Sequence, residues 1–375
     1  MENNNKKAKL RYGIFIPMGI LLTAALLLGV FWPKGFYNLE TSIVTWAINN
    51  FGWLFDITAF GFVLLVFFLM FSRYGDIKFG GPDAEPEISN WNWFAMSLCA
   101  GIATGILFWG IAEPMNHLMS PPSVLGLEAG SRGASLFSLS TCYLHWTFSP
   151  YAMYGICGVA IAFAAYNMKL PYHISSSLYP LFGKKSFGIG GTIVDNVCLF
   201  SMACAVAAVL GVGTMQIGSG LHILTGVTSG RFLWTIIVAI IVLTYVISSY
   251  TGLQRGIRFL SDQNTKIFLV LMGFIFIFGP TQFILKIGTE SFGHFLDSFS
   301  KMSFFLSPIK ESSWPRWWTV YYWAIWLAYA PLVGMFLARL VKGRTIRQFM
   351  LVNVVAPAMF GMVWFAVFGG SAINL

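Results

Sequence analysis

Aromatic side chains form two clusters inside otherwise aliphatic stretches of the chain. The first contains Trp146, Tyr151 and Tyr154 around Pro150. Pro150 has no N–H to donate to the carbonyl of Trp146, so the pattern predicts a helix that is loosened at this point. A ring face without a nearby carboxylate suits a cation that forms no hydrogen bonds, such as a quaternary ammonium group. Such contacts contribute about 0.5–2 kcal/mol per ring.

The second cluster lies near residue 325. Tyr322, Trp326 and Tyr329 recur at i, i+4 and i+7, and Trp323 is three residues before Trp326, so one helix face carries most of the rings. Either cluster alone is consistent with ordinary core packing. Two clusters on different helices favour a cage for an organic cation.

Glycines are spaced closely before residue 110. Gly101, Gly105 and Gly110 place small residues on a predicted span, where they allow close backbone approach or local unwinding. Plain helix packing is the alternative interpretation.

Ionisable residues within or beside the apolar stretches are few. Asp56, Glu113 and Asp195 fall near predicted span ends, which predicts that their side chains extend to the membrane surface. Lys266 is the exception, because it could reach inward. Asp262 is four residues after Arg258 and is a plausible ion-pair partner for it.

No catalytic constellation is present in the sequence. It contains no GxSxG, no HExxH, no phosphate-binding loop and no paired-carboxylate motif, so an enzyme is a poor hypothesis. The five cysteines are scattered and form no CxxC pair, so neither disulfides nor a zinc site is expected. No cofactor and no metal is expected.

The composition is that of a membrane protein. Of 375 residues, 57% are hydrophobic and 10% charged, with mean hydropathy +0.72. Soluble domains carry about 25% charged residues, so a soluble, disordered or nucleic-acid-binding chain is excluded. Nine apolar stretches are long enough to span a bilayer. They are 12–32, 52–72, 93–112, 137–166, 189–217, 233–250, 266–286, 317–338 and 348–372.

The basic residues predict the orientation. With a cytoplasmic N-terminal tail at 1–11, the inner segments carry 16 Lys and Arg and the outer segments carry 7. This asymmetry accounts for most of the net charge of +9 without a nucleic-acid partner. An amphipathic helix at about 290–305 is predicted within the outer connection 287–316.

Several motifs occur along the chain in the order found in the betaine/choline/carnitine transporter family, and the chain resembles this family. Its members move trimethylammonium compounds. The stretches that carry the resemblance cover nearly the whole chain. They are 108–114, 145–154, 191–196, 211–218, 252–261 and 318–344.

The resemblance implies an all-α fold of twelve helices, with two N-terminal helices followed by two inverted five-helix repeats. Residues 12–72 would be the N-terminal pair and 93–286 the first repeat. The connection at 287–316 would join the repeats, and 317–375 would be the first two helices of the second. The expected form is therefore truncated, with about nine transmembrane helices and three fewer than its relatives.

The resemblance to the family also implies a substrate site. Trp146, Tyr151 and Tyr154 match the fourth-helix aromatic residues of the family, while Trp323, Trp326 and Tyr329 fall on its eighth-helix stretch. Members often have Trp at the positions of Tyr151, Ile325 and Tyr329, so the shape of the cage differs. Gly101, Ala103 and Gly105 would bend the third helix and contact the substrate through backbone atoms.

The ion positions depart from the sodium-driven pattern. Met202 and Val206 stand where two threonines are expected, and neither offers the oxygen ligand that sodium needs. Carbonyls near Cys99 and Ile102 would form part of a second sodium site. Asn264 is close to a position where an exchanger of the family has arginine, and Lys266 is two residues beyond it. Sodium, a proton, or exchange without an ion therefore remain open.

The sequence supports a secondary transporter of a quaternary ammonium compound such as betaine, choline or carnitine, a symporter or exchanger working by alternating access. The alternative is an incomplete subunit or one half of a split transporter, which binds substrate without moving it alone. An unrelated receptor or channel would require the motif order to be coincidental. The expected setting is a bacterial-type plasma membrane, with lipid as partner, no nucleic acid, and a homotrimer left open.

Overall fold

In its described part the chain consists mainly of α-helices. The computed structural model describes residues 11–101, 105–251, 256–309 and 312–375. The α-helices in this described part are α1 (Tyr12–Phe31), α2 (Pro33–Phe71), α3 (Asn90–Gly101), α4 (Gly105–Met119), α5 (Arg132–Trp146), α6 (Phe148–Ala162), α7 (Tyr179–Phe182), α8 (Ile189–Thr225), α9 (Arg231–Thr251), α10 (Arg258–Phe278), α11 (Thr281–Ser303), α12 (Tyr321–Arg339), α13 (Ile346–Met350) and α14 (Ala356–Ile373).

The number of candidate spans agrees with the sequence prediction. Within the described ranges, eight helical segments are long and apolar enough to cross a membrane. The pair α3 and α4 makes a ninth, and the two helices meet at 56°. Three segments combine neighbouring elements: α5 with α6, residues 316–320 with α12, and α13 with α14. The prediction of an all-α membrane protein is confirmed.

The second helix is longer than predicted. The sequence indicated a span at 52–72, but α2 runs from Pro33 to Phe71. At 1.5 Å per residue, 39 residues measure about 58 Å, well beyond a hydrocarbon core of roughly 30 Å. Asp56 therefore lies well inside this helix rather than near its start.

The interior of the bundle is formed by α5, α6, α12 and α14. Helices α6 and α12 pack closely because glycines face each other across the contact. A Cβ at Gly334 would lie 2.9 Å from the backbone nitrogen of Gly158, which leaves no room for a side chain. This contact brings the two helices that carry the aromatic clusters together.

Helices α8 and α9 form much of the apolar exterior. Large side chains such as Ile223, Phe232, Leu243 and Tyr250 are exposed along them. An apolar helical exterior of this kind is compatible with a bilayer, because an α-helix satisfies its backbone hydrogen bonds internally.

The boundary after the seventh span differs from the prediction. The sequence indicated a span at 266–286 followed by an outer connection, but α10 ends at Phe278 and α11 begins at Thr281, after Gly279 and Pro280. Helix α11 is amphipathic as expected, although it begins and ends earlier than 290–305. It buries Ile284, Ile287 and Phe295 against α5 and α14.

Two of the loops that the charge pattern assigned to the inner side are bonded to each other. The segments before α3 and after α12 bond to each other: Phe79 N donates to Arg344 O at 2.9 Å, and Ile346 N to Ile77 O at 3.0 Å. Arg347 Nη1 bonds Asp76 Oδ1 at 2.5 Å. At the start of α1, Arg11 Nη1 donates to Asp195 Oδ2 at 3.0 Å.

Candidate aromatic cation site

The predicted weak point near Pro150 is a break between two helices. Helix α5 ends at Trp146 and α6 begins at Phe148, with Thr147 between them at φ −121° and ψ −114°. Pro150 is the third residue of α6 and has no N–H to bridge the gap. One residue before Trp146, the carbonyl of His145 accepts a hydrogen bond from Trp326 Nε1 at 3.1 Å. The break thus attaches α12 to the middle of the α5–α6 span.

Four predicted cage residues lie together at this break. The ring centroids of Trp146 and Trp326 are 5.2 Å apart, those of Tyr154 and Trp326 5.9 Å, and those of Tyr151 and Tyr154 6.3 Å. Interplanar angles of 77–81° make these edge-to-face contacts, the geometry that aromatic quadrupoles prefer. All four side chains are buried. We call Trp146, Tyr151, Tyr154 and Trp326 the aromatic cluster.

The glycines of the third span flank this cluster. A Cβ at Gly101 would lie 2.7 Å from the Tyr151 ring, which is too close for any side chain. A Cβ at Gly105 would lie 3.5 Å from the Trp146 ring, an ordinary contact. The backbone at both glycines therefore borders the rings. Ala103 and Ile102 lie outside the described residues.

Two other predicted cage residues face elsewhere. Trp323 is buried with its ring 5.8 Å from that of His145, on the side of α12 that meets α2. The Tyr329 hydroxyl donates to Ala205 O on α8 at 2.6 Å, so it ties α12 to α8. Tyr322, which the sequence placed on the same helix face, contacts the cluster instead. Its ring lies 5.7 Å from Trp146 and 6.2 Å from Trp326.

A buried carboxylate behind the rings was not predicted as a site residue. Glu113 Oε2 accepts hydrogen bonds from Trp146 Nε1 at 2.6 Å and from the Tyr322 hydroxyl at 2.5 Å. Its Oε1 lies 2.7 Å from His145 Nδ1, and the Thr319 hydroxyl lies 3.0 Å from His145 Nε2. Three donors on one buried carboxylate stabilise its negative charge.

The prediction that Glu113 extends to the membrane surface is wrong. Helix α4 continues to Met119, so the side chain is fully buried rather than at a span end. His117, four residues later on the same face, lies 3.4 Å from Glu113 Oε1 but outside hydrogen-bonding geometry. A carboxylate and an imidazole at i, i+4 inside an apolar stretch were the signal that could have identified this network.

Two of these side chains, together with Cys142 on α5, have atoms of metal-ligand type. Glu113, His117 and Cys142 place theirs within 4.8 Å of one another, although the scattered cysteines had predicted no such group. Both oxygens of Glu113 already accept from Trp146, Tyr322 and His145. We therefore assign the carboxylate to holding the aromatic side chains and not to a metal.

The predicted ion positions separate into two groups. Asn264 Nδ2 donates to Cys99 Sγ at 3.4 Å, so these two meet between α3 and α10. Lys266 does not reach inward, because its side chain is 55% exposed and bonds Asp262 Oδ2 at 2.7 Å. Lys266 is thus the partner of Asp262, in the place predicted for Arg258. On α8, Val206 is exposed and offers no ligand atom.

Comparison with known families agrees with the motifs. The family model described as betaine/carnitine/choline family transporter matches residues 13–375. The chain belongs to this family. Members are transporters and not enzymes, which confirms that part of the prediction.

Curated members of the family are similar over most of this chain. A probable glycine betaine transporter of Desulfitobacterium hafniense is 36% identical over 92% of this chain and 69% of its own length. An ectoine/hydroxyectoine transporter of Virgibacillus pantothenticus is 34% identical, over 98% and 73% respectively. An osmo-dependent choline transporter of Acinetobacter baylyi is 34% identical, over 88% and 48%.

Proposed function

We propose that the chain is a secondary transporter of quaternary trimethylammonium compounds such as glycine betaine, choline or carnitine, working by alternating access. The observation that carries this proposal is the aromatic cluster, in which rings from α5, α6 and α12 meet at a helix break. Helix breaks at membrane depth are where membrane transporters hold their substrates.

The hydrogen bonding of the cluster favours a cation without N–H groups. The Trp146 indole N–H is engaged by Glu113 and the Trp326 indole N–H by the His145 carbonyl. What the two indoles retain for a ligand is their π faces, which attract a quaternary ammonium group without hydrogen bonds. Ectoine, named for one relative, carries ring N–H groups and would gain less from such faces.

Glu113 acts through the rings in this proposal. Its carboxylate fixes the Trp146 indole and the Tyr322 phenol by short hydrogen bonds, and His145 connects it to α12. Rings held in one orientation present their faces at no further entropic cost when the ligand binds. Glu113 is therefore a positioning residue.

We further propose a cytoplasmic N-terminus in a bacterial plasma membrane. The segments predicted to be inner carry most of the Lys and Arg, and those before α3 and after α12 bond to each other. For coupling, α8 offers no sodium ligand at Met202 or Val206, while Cys99 and Asn264 remain as neighbours between α3 and α10.

The test is a titration of the purified chain with glycine betaine, choline and carnitine, followed by tryptophan fluorescence with and without sodium. Trp326→Leu should weaken binding roughly tenfold, because a desolvated ring contributes up to about 2 kcal/mol to holding such a cation. Trp317→Leu is the matched control, since that ring is 44% exposed at the start of the same span.

An uncharged tert-butyl analogue and ectoine complete the design. Binding of the analogue as tight as that of betaine would contradict the cation cage, and tighter binding of ectoine would change the substrate class. Uptake of labelled betaine into proteoliposomes separates transport from binding. Saturable binding without uptake is the result expected of the subunit alternative.

A further inference from the structure

A second buried carboxylate lies outside the aromatic cluster. Asp56 is in the interior of α2 and is 1% exposed. Among the residues that the structure describes, neither of its carboxylate oxygens has a hydrogen-bond partner. An intramembrane carboxylate in this state needs a functional explanation, because it costs stability and contributes no contact in return.

Asp56 lies where α2 meets α12, the helix that carries Trp323 and Trp326. The indole of Trp323 is beside the carboxylate but outside hydrogen-bonding geometry, and its N–H also lacks a described partner. One turn earlier, a Cβ at Gly52 would lie 3.0 Å from the side chain of Val320. The two helices are thus in close contact at this level.

Charged groups on the elements that pack against α2 are remote from Asp56 or engaged elsewhere. Arg316 bonds Asn49, about 10 Å along the helix from Asp56, and Arg347 bonds the carbonyl of Met70, about 21 Å away. Arg73 and Asp76 lie in the turn beyond Phe71, the last residue of α2, about 22 Å along the helix from Asp56. Helices α1 and α6 contain no Asp, Glu, Lys, Arg or His; the titratable groups of α6 are Tyr151, Tyr154 and Cys157.

On the two remaining helices the charges also face away. His294 of α11 contacts Ser140 at 2.9 Å, and Arg339 is the last residue of α12, whose other titratable groups are tyrosines. The other charged residues of α11 are exposed, and they are Lys286, Glu290, Asp297 and Lys301. Asp56 therefore has no described counter-charge.

We propose that Asp56 is a proton-binding site of the transport cycle, an inference that rests on the proposed transport function. A buried ionised carboxylate to which no described side chain or backbone group donates is far more costly than the neutral acid, so the carboxyl binds one proton in the packed arrangement. When α2 and α12 separate enough to admit water, the acid releases this proton and becomes the carboxylate.

A metal cation fits the position less well than a proton. Sodium is a hard cation that needs several oxygen ligands, like the related hard ions of protein sites. The side chain identified beside Asp56 is the Trp323 indole, and Val320 packs against α2 one turn earlier, at Gly52. A proton needs a single oxygen, and Asp56 offers it.

The position also connects to the aromatic cluster. Trp323 lies between Asp56 and His145, with the imidazole ring 5.8 Å from the indole. The carbonyl of His145 holds the Trp326 indole, a ring of the cluster. Ionisation of Asp56 would draw the Trp323 N–H toward the carboxylate and shift its packing against His145. Substrate binding and proton binding are thereby linked through one side chain.

The first experiment detects the proton itself, independently of transport. Infrared difference spectra at neutral pH, wild type minus Asp56→Asn, should contain the carbonyl-stretch band of a protonated carboxylic acid. Asp297→Asn, which removes an exposed carboxylate of α11, should give no such band. Absence of the band in the Asp56 spectrum would overturn the proposal, whether or not the chain transports betaine.

The second experiment measures proton movement in proteoliposomes with an internal pH dye. Betaine uptake by the wild type should acidify the lumen, and Asp56→Asn should reduce this acidification at least tenfold while betaine affinity changes less than threefold. Asp56→Glu is the second test if the asparagine variant fails to fold. It keeps a titratable group and should retain the acidification. If Asp56→Asn acidifies the lumen as much as the wild type does, Asp56 is not the proton-binding site. If the wild type itself does not bind betaine, the proposed function is refuted instead.

Discussion

Two carboxylates of this chain are equally buried but have opposite hydrogen-bonding environments. Glu113 on α4 is fully buried and accepts hydrogen bonds from Trp146, Tyr322 and His145. Asp56 on α2 is also buried, yet no described donor reaches it. Burial alone therefore does not determine what an acidic group does in the membrane.

The difference lies in what surrounds each group. The partners of Glu113 come from two helices, α5 and α12, so its charge is distributed over donors that it in turn holds in place. Asp56 lies beside the Trp323 indole, and neither of its oxygens has a described hydrogen-bond donor. The first carboxylate is suited to fixed geometry, and the second to gaining and losing a proton.

The largest effect is expected when the satisfied carboxylate is removed. Glu113→Ala would leave the Trp146 indole, the Tyr322 hydroxyl and the His145 imidazole buried without an acceptor. Removing one partner of a buried charged network costs about 3–5 kcal/mol, so thermal unfolding in detergent should shift strongly downward. Betaine binding should be lost as well, because the rings lose their fixed orientation.

Its matched control is another glutamate. Glu290 pairs with Arg132 at the surface, where both side chains are largely exposed. Glu290→Ala should leave the unfolding midpoint nearly unchanged. Equal shifts for the two variants would contradict the structural role given to the Glu113 network.

A smaller effect of opposite sign is expected at Asp56. Asp56→Leu replaces an unsatisfied carboxyl by an apolar side chain of similar size, a change that is neutral or stabilising when nothing is hydrogen-bonded to the original group. We expect a gain of about 1 kcal/mol in the free energy of unfolding, measured in the same detergent assay. A loss comparable to that of Glu113→Ala would mean that Asp56 has donors in the folded chain.

The sequence was sufficient for the spans and for the weak helix at Pro150. Apolar length predicted all nine candidate segments, and the missing N–H of Pro150 predicted the break that occurs at Thr147. The extent of α2 was underestimated because Asn38, Glu40 and Thr41 interrupt its apolar pattern while the helix continues through them. A hydropathy window detects what lies in lipid, not where a helix ends.

The buried carboxylates could not be predicted by the same reasoning. The partners of Glu113 are 32, 33 and 209 residues away in sequence, so its environment depends on how α5 and α12 pack. Distance from a predicted span end placed Glu113, Asp56 and Asp195 in one class, yet all three are buried. Lys266, the predicted exception, is the residue that is exposed.

The smallest effect is expected for a salt bridge on the basic face of the bundle. Lys342 Nζ donates to Glu87 Oε1 at 2.8 Å, with side chains 48% and 61% exposed. The hydrogen bond to Glu87 raises the pKa of Lys342, so any stability from the pair is present at neutral pH and is lost as the pH rises through that raised value. Because exposed pairs contribute little, Glu87→Gln should leave the unfolding midpoint unchanged at neutral pH and remove the small alkaline dependence of the wild type. A clear destabilisation at neutral pH would mean that this surface contact resembles Glu113 more than its exposure suggests.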